Sequence, residues 1–399
     1  MNTSMMNKEK MLTTMAVSPL HPSSGRTPSF AVVSTFPPTL CGLATFGAAL
    51  TESLRRVGVK NVGVVRVTEH PEDIANDPRV VANWYWGCTQ SRLDTARLIN
   101  SYDYVLLQHE FGIFGGNDGN EILDLLDDVH VPVIVTLHTV PLNPTPSQRR
   151  ILEDVARRVE VLVTMTESAR ERLLRLYRVH PERVVTIAHG ATVPDSFELP
   201  ASQNVTFLTW GLLGPGKGIE WVVDALAMVP ELHNQVNYVV AGQTHPKVRL
   251  NEGERYRDML KLRAQRLGVD HLIKFDDQYR TLPSLLTLIQ KASCVVLPYD
   301  SDDQITSGVL VDAVSAGRPV IATEFPHAVE LLNRGAGMVV PHRDPVSLAQ
   351  VMRKVVTDSE VLHEMAEATR PLAREHRWSA GATLYIYVCC EVVPRGTLV

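Results

Sequence analysis

From residue 30 onward the chain alternates short β-branched runs with longer stretches of helical period, and it does so twice. In the first half the runs AVVSTF (31–36), NVGVVRV (61–67), YVLLQ (104–108), VPVIVTL (131–137), VLVTM (161–165) and VVTIA (184–188) read apolar on both faces. Between them the spacing predicts helices over 45–56, 119–128, 147–159 and 167–177. Strands buried on both faces and separated by helices pair in parallel, so this half predicts a sheet covered on each side. The pattern lapses over 192–204, a polar stretch with two prolines. It resumes with VTFLTW (205–210), NYVVAG (237–242), IKFD (273–276), CVVL (294–297), PVIAT (319–323) and GMVVP (337–341). The expected fold class is therefore α/β, with two Rossmann-like, doubly wound parallel-sheet domains at 29–194 and 205–378 and a linker at 195–204. Residues 1–28, rich in Met, Ser and Thr, are read as a disordered leader or an overlong start.

Composition narrows the function classes. With 399 residues, 45% of them hydrophobic and 21% charged, the chain is long enough for two separate cores. A net charge of -5 argues against a general nucleic-acid binder. The cysteines at 41, 88, 294, 389 and 390 follow no metal-ligand spacing, which suits a reducing, cytoplasmic setting. No apolar run approaches the roughly 18 residues of a spanning helix.

Polar groups gather at strand ends. Segment 294–323 reads as a strand stopped by Pro298, an N-cap at Ser307, a helix over 308–316 and a closing Gly317 and Pro319. The amides of Gly308, Val309 and Leu310 would leave the helix start unpaired, a site for a phosphate or sugar oxygen, and Asp312 would accept hydroxyls one turn further in. An ordinary strand and helix is the other reading. Residues 210–218, WGLLGPGKG, form a glycine-rich turn in which Lys217 would neutralise a phosphate or simply face water. No Ser or Thr follows the lysine, so this is not a Walker loop. In the first half Gly42 occupies the matching turn, and His109 and His138 each follow a strand. Neither histidine has a metal-ligand spacing, and no Gly-x-Ser-x-Gly elbow supports a hydrolase. Arg170, Arg172, Arg175 and Arg178 lie along one helix candidate and are read as a solvated face offset by Glu167 and Glu171, with weak contact to an acidic membrane surface as the second reading.

Together the 211–218 turn, His138, the Ala188-His189-Gly190 stretch and segment 294–323 resemble the retaining nucleotide-sugar glycosyltransferases of GT-B fold in family four, also called group 1. The likeness runs over about 30–378. It implies two domains facing a central cleft, the second binding a nucleotide diphosphate sugar and the first a hydroxyl acceptor. It also implies that 379–399 crosses back to the first domain. Carried over by residue, Lys217 would hold the donor diphosphate and stabilise the leaving group, with His138 beside the transferred sugar and Gln304 at the first position of the family's acidic pair. Gly42, Ser307, Gly308, Val309, Leu310 and Asp312 would line the donor, Asp312 as the ribose ligand. Segment 276–280 would lie by the nucleotide base, and His109 and Glu110 on the acceptor side. The activity implied is retaining transfer of a hexose to a hydroxyl, with no metal or other cofactor. A sugar phosphorylase and a non-catalytic nucleotide-sugar binder are the alternatives. Three residues depart from the family pattern: Gln304 and Asp312 stand for glutamates, and Leu212 for a frequent arginine.

Overall fold

A computed structural model describes residues 27–69, 71–72, 76–202 and 204–392. The leader read at 1–28, save its last two residues, and the tail beyond Val392 lie outside them. The chain divides into two compact units, one of residues 1–190 with 378–399 and the other of 191–377.

The first unit runs β1 (Phe30–Ser34), α1 (Gly42–Arg56), β2 (Val62–Thr68), β3 (Val80–Tyr85), α2 (Thr89–Ile99), β4 (Tyr104–His109), α3 (Glu121–Asp128), β5 (Val133–Leu137), α4 (Pro146–Arg158), β6 (Val161–Thr164), α5 (Glu167–Leu176) and β7 (Val184–Thr186). Its seven strands pair in parallel in the order β3-β2-β1-β4-β5-β6-β7. β3 and α2 escape the apolar pattern. β3 is an edge strand with an exposed Val81 and a polar Asn83, so it lacks the two buried faces that mark the inner strands.

The second unit runs β8 (Val205–Trp210), α6 (Ile219–Ala227), β9 (Val236–Ala241), α7 (Pro246–Glu252), α8 (Arg255–Arg266), β10 (Ile273–Asp276), α9 (Leu282–Gln290), β11 (Cys294–Leu297), α10 (Gly308–Ser315), β12 (Val320–Thr323), α11 (Pro326–Leu332), β13 (Gly337–Val340), α12 (Pro345–Thr357) and α13 (Ser359–Glu375). Its six parallel strands lie in the order β10-β9-β8-β11-β12-β13. Phe207 and Val296 turn toward one apolar cluster and Leu208 and Val295 toward another, as alternate residues of strands covered on both faces must.

The chain then returns to the first unit as α14 (Trp378–Tyr387), whose Ala382 and Tyr385 join the core formed by Phe30, Leu50, Leu106 and Ile134. The Tyr385 hydroxyl lies 2.7 Å from that of Thr136 on β5, a buried polar pair that fixes the docking.

Two sequence expectations change. Residues 195–204 are no free linker, because Arg318, fully buried, donates to the carbonyls of Phe197 at 3.1 Å and Glu198 at 2.7 Å and ties them to the second unit. The arginines of α5 are not one solvated face either. Arg172 is 6% exposed and donates to the Val140 carbonyl at 3.1 Å, and Arg178 lies beyond the end of the helix.

Candidate active site

In the second sheet the winding reverses between β8 and β11, and doubly wound sheets bind ligands beyond the strand ends at such a point. The loops leaving those strands are 211–218 and 298–307. They are stitched to each other: the Asp300 amide donates to the Gly216 carbonyl at 3.0 Å, and the Asp300 carboxylate accepts from the Trp221 indole at 2.7 Å. Gly218 holds a φ of 66°, and a Cβ there would stand 1.7 Å from the Pro298 carbonyl oxygen. Only glycine lets the two loops close this far.

Lys217 stands just before α6, and among the described residues no carboxylate pairs with it. Its ammonium lies 4.5 Å from the centroid of the Tyr299 ring. Across the loop, Ser307 caps α10 by accepting the Leu310 amide at 3.3 Å, and its carbonyl accepts the Val311 amide at 3.2 Å. The sequence expectation of three open amides is thus corrected to two, since Leu310 is satisfied by its own cap. Gly308 and Val309 keep amides with no acceptor among the described residues, at the positive end of the helix. The Asp312 carboxyl, four residues in, has no hydrogen-bond partner among the described residues, and burial pushes its pKa up to about 7. Gln304 donates to the Thr306 carbonyl at 3.3 Å within its own loop. Asp276 is ion-paired with Arg280 beside a cavity of about 420 Å³ that Lys274, Ser284 and Lys291 also line.

The first sheet reverses between β1 and β4. After β1, the fully buried Arg66 donates to the Phe36 carbonyl at 3.3 Å and the Thr39 hydroxyl at 3.0 Å, shaping the loop that delivers the chain to α1. Gly42 opens that helix, and nothing stands within 4 Å of where its Cβ would be. One residue past the end of β5, Nε2 of His138 lies 2.9 Å from Oε1 of Gln108. Its ring meets the Phe46 ring edge-on at 4.8 Å, and His189 and Trp378 each meet Phe46 at 5.0 Å. Burial, then the neighbouring His189 and His109, lower the His138 pKa to about 3, so the ring is neutral.

His109 departs from expectation. As the last residue of β4 it turns into the sheet's cover, 1% exposed, its ring 5.1 Å from Phe111 and 6.1 Å from Phe114. Neither ring nitrogen has a partner among the described residues, and burial lowers its pKa to about 4. A ring so enclosed does not present itself to an acceptor. Glu110, one residue past the end of β4, has its carboxylate engaged by the Phe111 amide at 3.0 Å and the Thr139 hydroxyl, and burial raises its pKa. Tyr299 and His327, the latter accepting the Ser307 amide at 2.8 Å, belong to the site although no motif marks them. Tyr299 lies in the loop just past β11 and His327 twenty residues beyond Ser307, so local sequence ties neither of them to the site.

Residues 195–371 match the profile of the group 1 glycosyl transferases, and residues 41–193 match that of glycosyltransferase family 4. The D-inositol 3-phosphate glycosyltransferase of Jonesia denitrificans is 24% identical over 64% of this chain and 65% of its own length. The alpha-D-kanosaminyltransferase of Streptomyces kanamyceticus is 23% identical over 61% of this chain and 66% of its own. The chain thus spans just under two thirds of the length of these relatives. Among solved structures, HepE of Anabaena in complex with UDP superposes with a TM-score of 0.69 at 16% identity, over 90% of this chain and 98% of that one. Sucrose-phosphate synthase from Thermosynechococcus elongatus does so with a TM-score of 0.72 at 16% identity, over 92% and 99%. The two Rossmann-like halves are those of the GT-B fold. Among the described residues no helix is long and apolar enough to cross a membrane, and no cluster of three His, Cys, Asp or Glu suits a metal ion. With both halves matched in order, the chain belongs to the group 1, family 4 glycosyltransferases.

Proposed function

We propose that the chain transfers a hexose from a nucleotide diphosphate sugar to a hydroxyl acceptor with retention of anomeric configuration. The observation that carries this reading is the set of unused groups at the switch point of the second sheet. Two helix-start amides, one unpaired carboxyl and one lysine without a carboxylate stand on or beside two loops that are stitched to each other. Amides at a helix start and an ammonium suit the diphosphate, and a carboxyl that burial keeps near neutrality suits a ribose diol. HepE, with UDP in its structure, and the inositol-phosphate glycosyltransferases make the same assignment natural.

In the proposed reaction the bond from the anomeric carbon to the diphosphate oxygen breaks, and its electron pair leaves with the diphosphate. Lys217 and the amides of Gly308 and Val309 stabilise that charge, which grows in the transition state. The acceptor oxygen bonds to the anomeric carbon and gives up its proton to the departing diphosphate, whose oxygen has gained the electron pair. His138, neutral and held by Gln108, is the proposed hydrogen-bonding group of the first unit for the transferred sugar. On this reading the leaving-group charge is met by the chain's own groups, and transfer survives chelation of divalent ions. Gln304 then offers the sugar an amide in place of a carboxylate.

The test is a thermal-shift panel of UDP-, GDP- and ADP-hexoses, because a ligand that binds only the folded protein raises its melting point. The donor so found is then titrated into Lys217→Ala and Asp312→Ala. Loss of binding in both, with melting otherwise intact, supports the assignment, and unchanged affinity in both defeats it. Tight donor binding with no transfer to a broad acceptor panel would instead mark a non-catalytic binder, and formation of a sugar 1-phosphate from phosphate and a disaccharide would mark a phosphorylase.

A further inference from the structure

The glycine turn 211–218 carries one cation, Lys217, so where that ammonium is held bears on any anion the turn binds. What places it is an aromatic face. Nζ of Lys217 lies 4.5 Å from the centroid of Tyr299, within the reach at which a ring quadrupole attracts a cation. The ring is itself immobilised. Tyr299 is 1% exposed and lies against Phe325 with centroids 5.3 Å apart. Its carbonyl accepts the Thr323 hydroxyl at 2.6 Å and the ring N–H of His342 at 2.8 Å. The next residue, Asp300, fastens the same loop to Gly216, next to the lysine. The Tyr299 hydroxyl is buried with no partner among the described residues, so the side chain is not there for its hydroxyl's hydrogen bond.

We propose that Tyr299 is a positioning residue for diphosphate binding: its ring face holds the Lys217 ammonium at the strand-end crevice. A free lysine loses rotamer entropy when a ligand fixes it, and an ammonium already held on a ring has lost part of that beforehand. The inference rests on the proposed role of Lys217, and the experiment separates the two.

Inorganic pyrophosphate, the part shared by every nucleotide diphosphate sugar, is the probe, titrated into the full chain by calorimetry. Position 299 carries in turn tyrosine, phenylalanine, and phenylalanines with one, two and three ring fluorines. These keep the ring's shape while draining the electron density that attracts a cation. The expected result is that Tyr299→Phe binds much as the parent does, and that affinity then falls stepwise with fluorine, by about fivefold over the series. In a Lys217→Ala background the weak residual binding of pyrophosphate at high concentration, left to the Gly308 and Val309 amides, should be the same across the series, because the ring then has no cation to hold. A flat series with Lys217 present, or an equal decline without it, overturns the role of Tyr299 while leaving that of Lys217 intact. If Lys217→Ala alone binds pyrophosphate as the parent does, the assignment of Lys217 falls and this inference with it. The fluorinated rings preserve packing, so a merely structural role for Tyr299 would not produce the stepwise decline.

Discussion

The backbone amide of Ser307 donates to Nδ1 of His327 at 2.8 Å, and each residue is 2% exposed. The cap of α10 is thereby fixed from behind. With its own N–H pinned by α11, Ser307 turns its hydroxyl to Leu310 and leaves the Gly308 and Val309 amides outermost. Removing the imidazole strands a buried N–H, which costs about 1 to 3 kcal/mol. His327→Ala is expected to lower stability by that order and to weaken the nucleotide-sugar donor several-fold, because the helix start loses its fixed geometry. Urea denaturation and donor titration on the same preparation check both. An unchanged denaturation midpoint would mean that the amide finds another acceptor.

Asp312 makes the site's pH dependence explicit. Its pKa of about 7 in the folded chain lies above the value of about 4 expected when unfolded, so the folded state binds more protons in between. Its contribution to stability is full below about pH 4 and is lost as pH rises through 7. Asp312→Asn removes that loss, and the ligand-free variant should be more stable than the parent by roughly 2 kcal/mol at pH 8, below the full value of the shift because the side chain is partly exposed. The same variant should lose the donor. Calorimetry of the parent at pH 7 in buffers of different ionisation enthalpy adds an independent check: the parent releases protons on binding as hydroxyls stabilise the carboxylate. Equal stability of the two proteins from pH 5 to 8 would contradict the burial argument.

The first unit carries the opposite sign. Burial holds His109 near pKa 4, below its ordinary value of 6.5, so its contribution is present above pH 6.5 and is lost as pH falls toward 4. Below that window folding must charge an imidazole lodged against Phe111 and Phe114, or forgo it. His109→Leu should therefore reduce the acid sensitivity of the strands around it by up to about 3 kcal/mol between pH 6.5 and 4. Hydrogen exchange of the amides of β4 and β5, compared across that range in both proteins, reads the effect. Equal slopes would point to a buried water that already solvates the ring.

These cases also mark what sequence reveals. The inner strands were legible because a strand covered on both faces is largely apolar, which is why 205–210 and 294–297 coincide with β8 and β11. The edge strand β3 was not, since one polar face breaks the run. Site residues that sit in a glycine turn or at a helix start, such as Lys217 and Ser307, announce themselves by local chemistry. Tyr299, His327 and Arg318 do not, because what they do depends on partners brought close by folding: a ring under a distant lysine, an imidazole behind a cap, a guanidinium gathering four carbonyls. The His109 expectation failed for the same reason. A strand end locates the residue, while the packing of the following loop decides whether its side chain meets solvent.

Gly42 offers the sharpest separation of fold from function. Its φ is not in the left-handed region, and an added Cβ would meet nothing within 4 Å, so the first unit does not itself require glycine there. Alanine at the first position of α1 also costs the helix nothing, since it loses less backbone entropy than glycine. The open space matters only if a ligand comes close to the backbone, as the proposed donor or transferred sugar would. Gly42→Ala is therefore expected to melt within about 0.5 kcal/mol of the parent or slightly above it, while Gly42→Val, with more bulk in the same space, lowers kcat/KM by about tenfold or more. Thermal denaturation and initial rates with the donor identified by the panel decide it. Variants that keep both stability and full activity would show that this turn lies outside the substrate's reach.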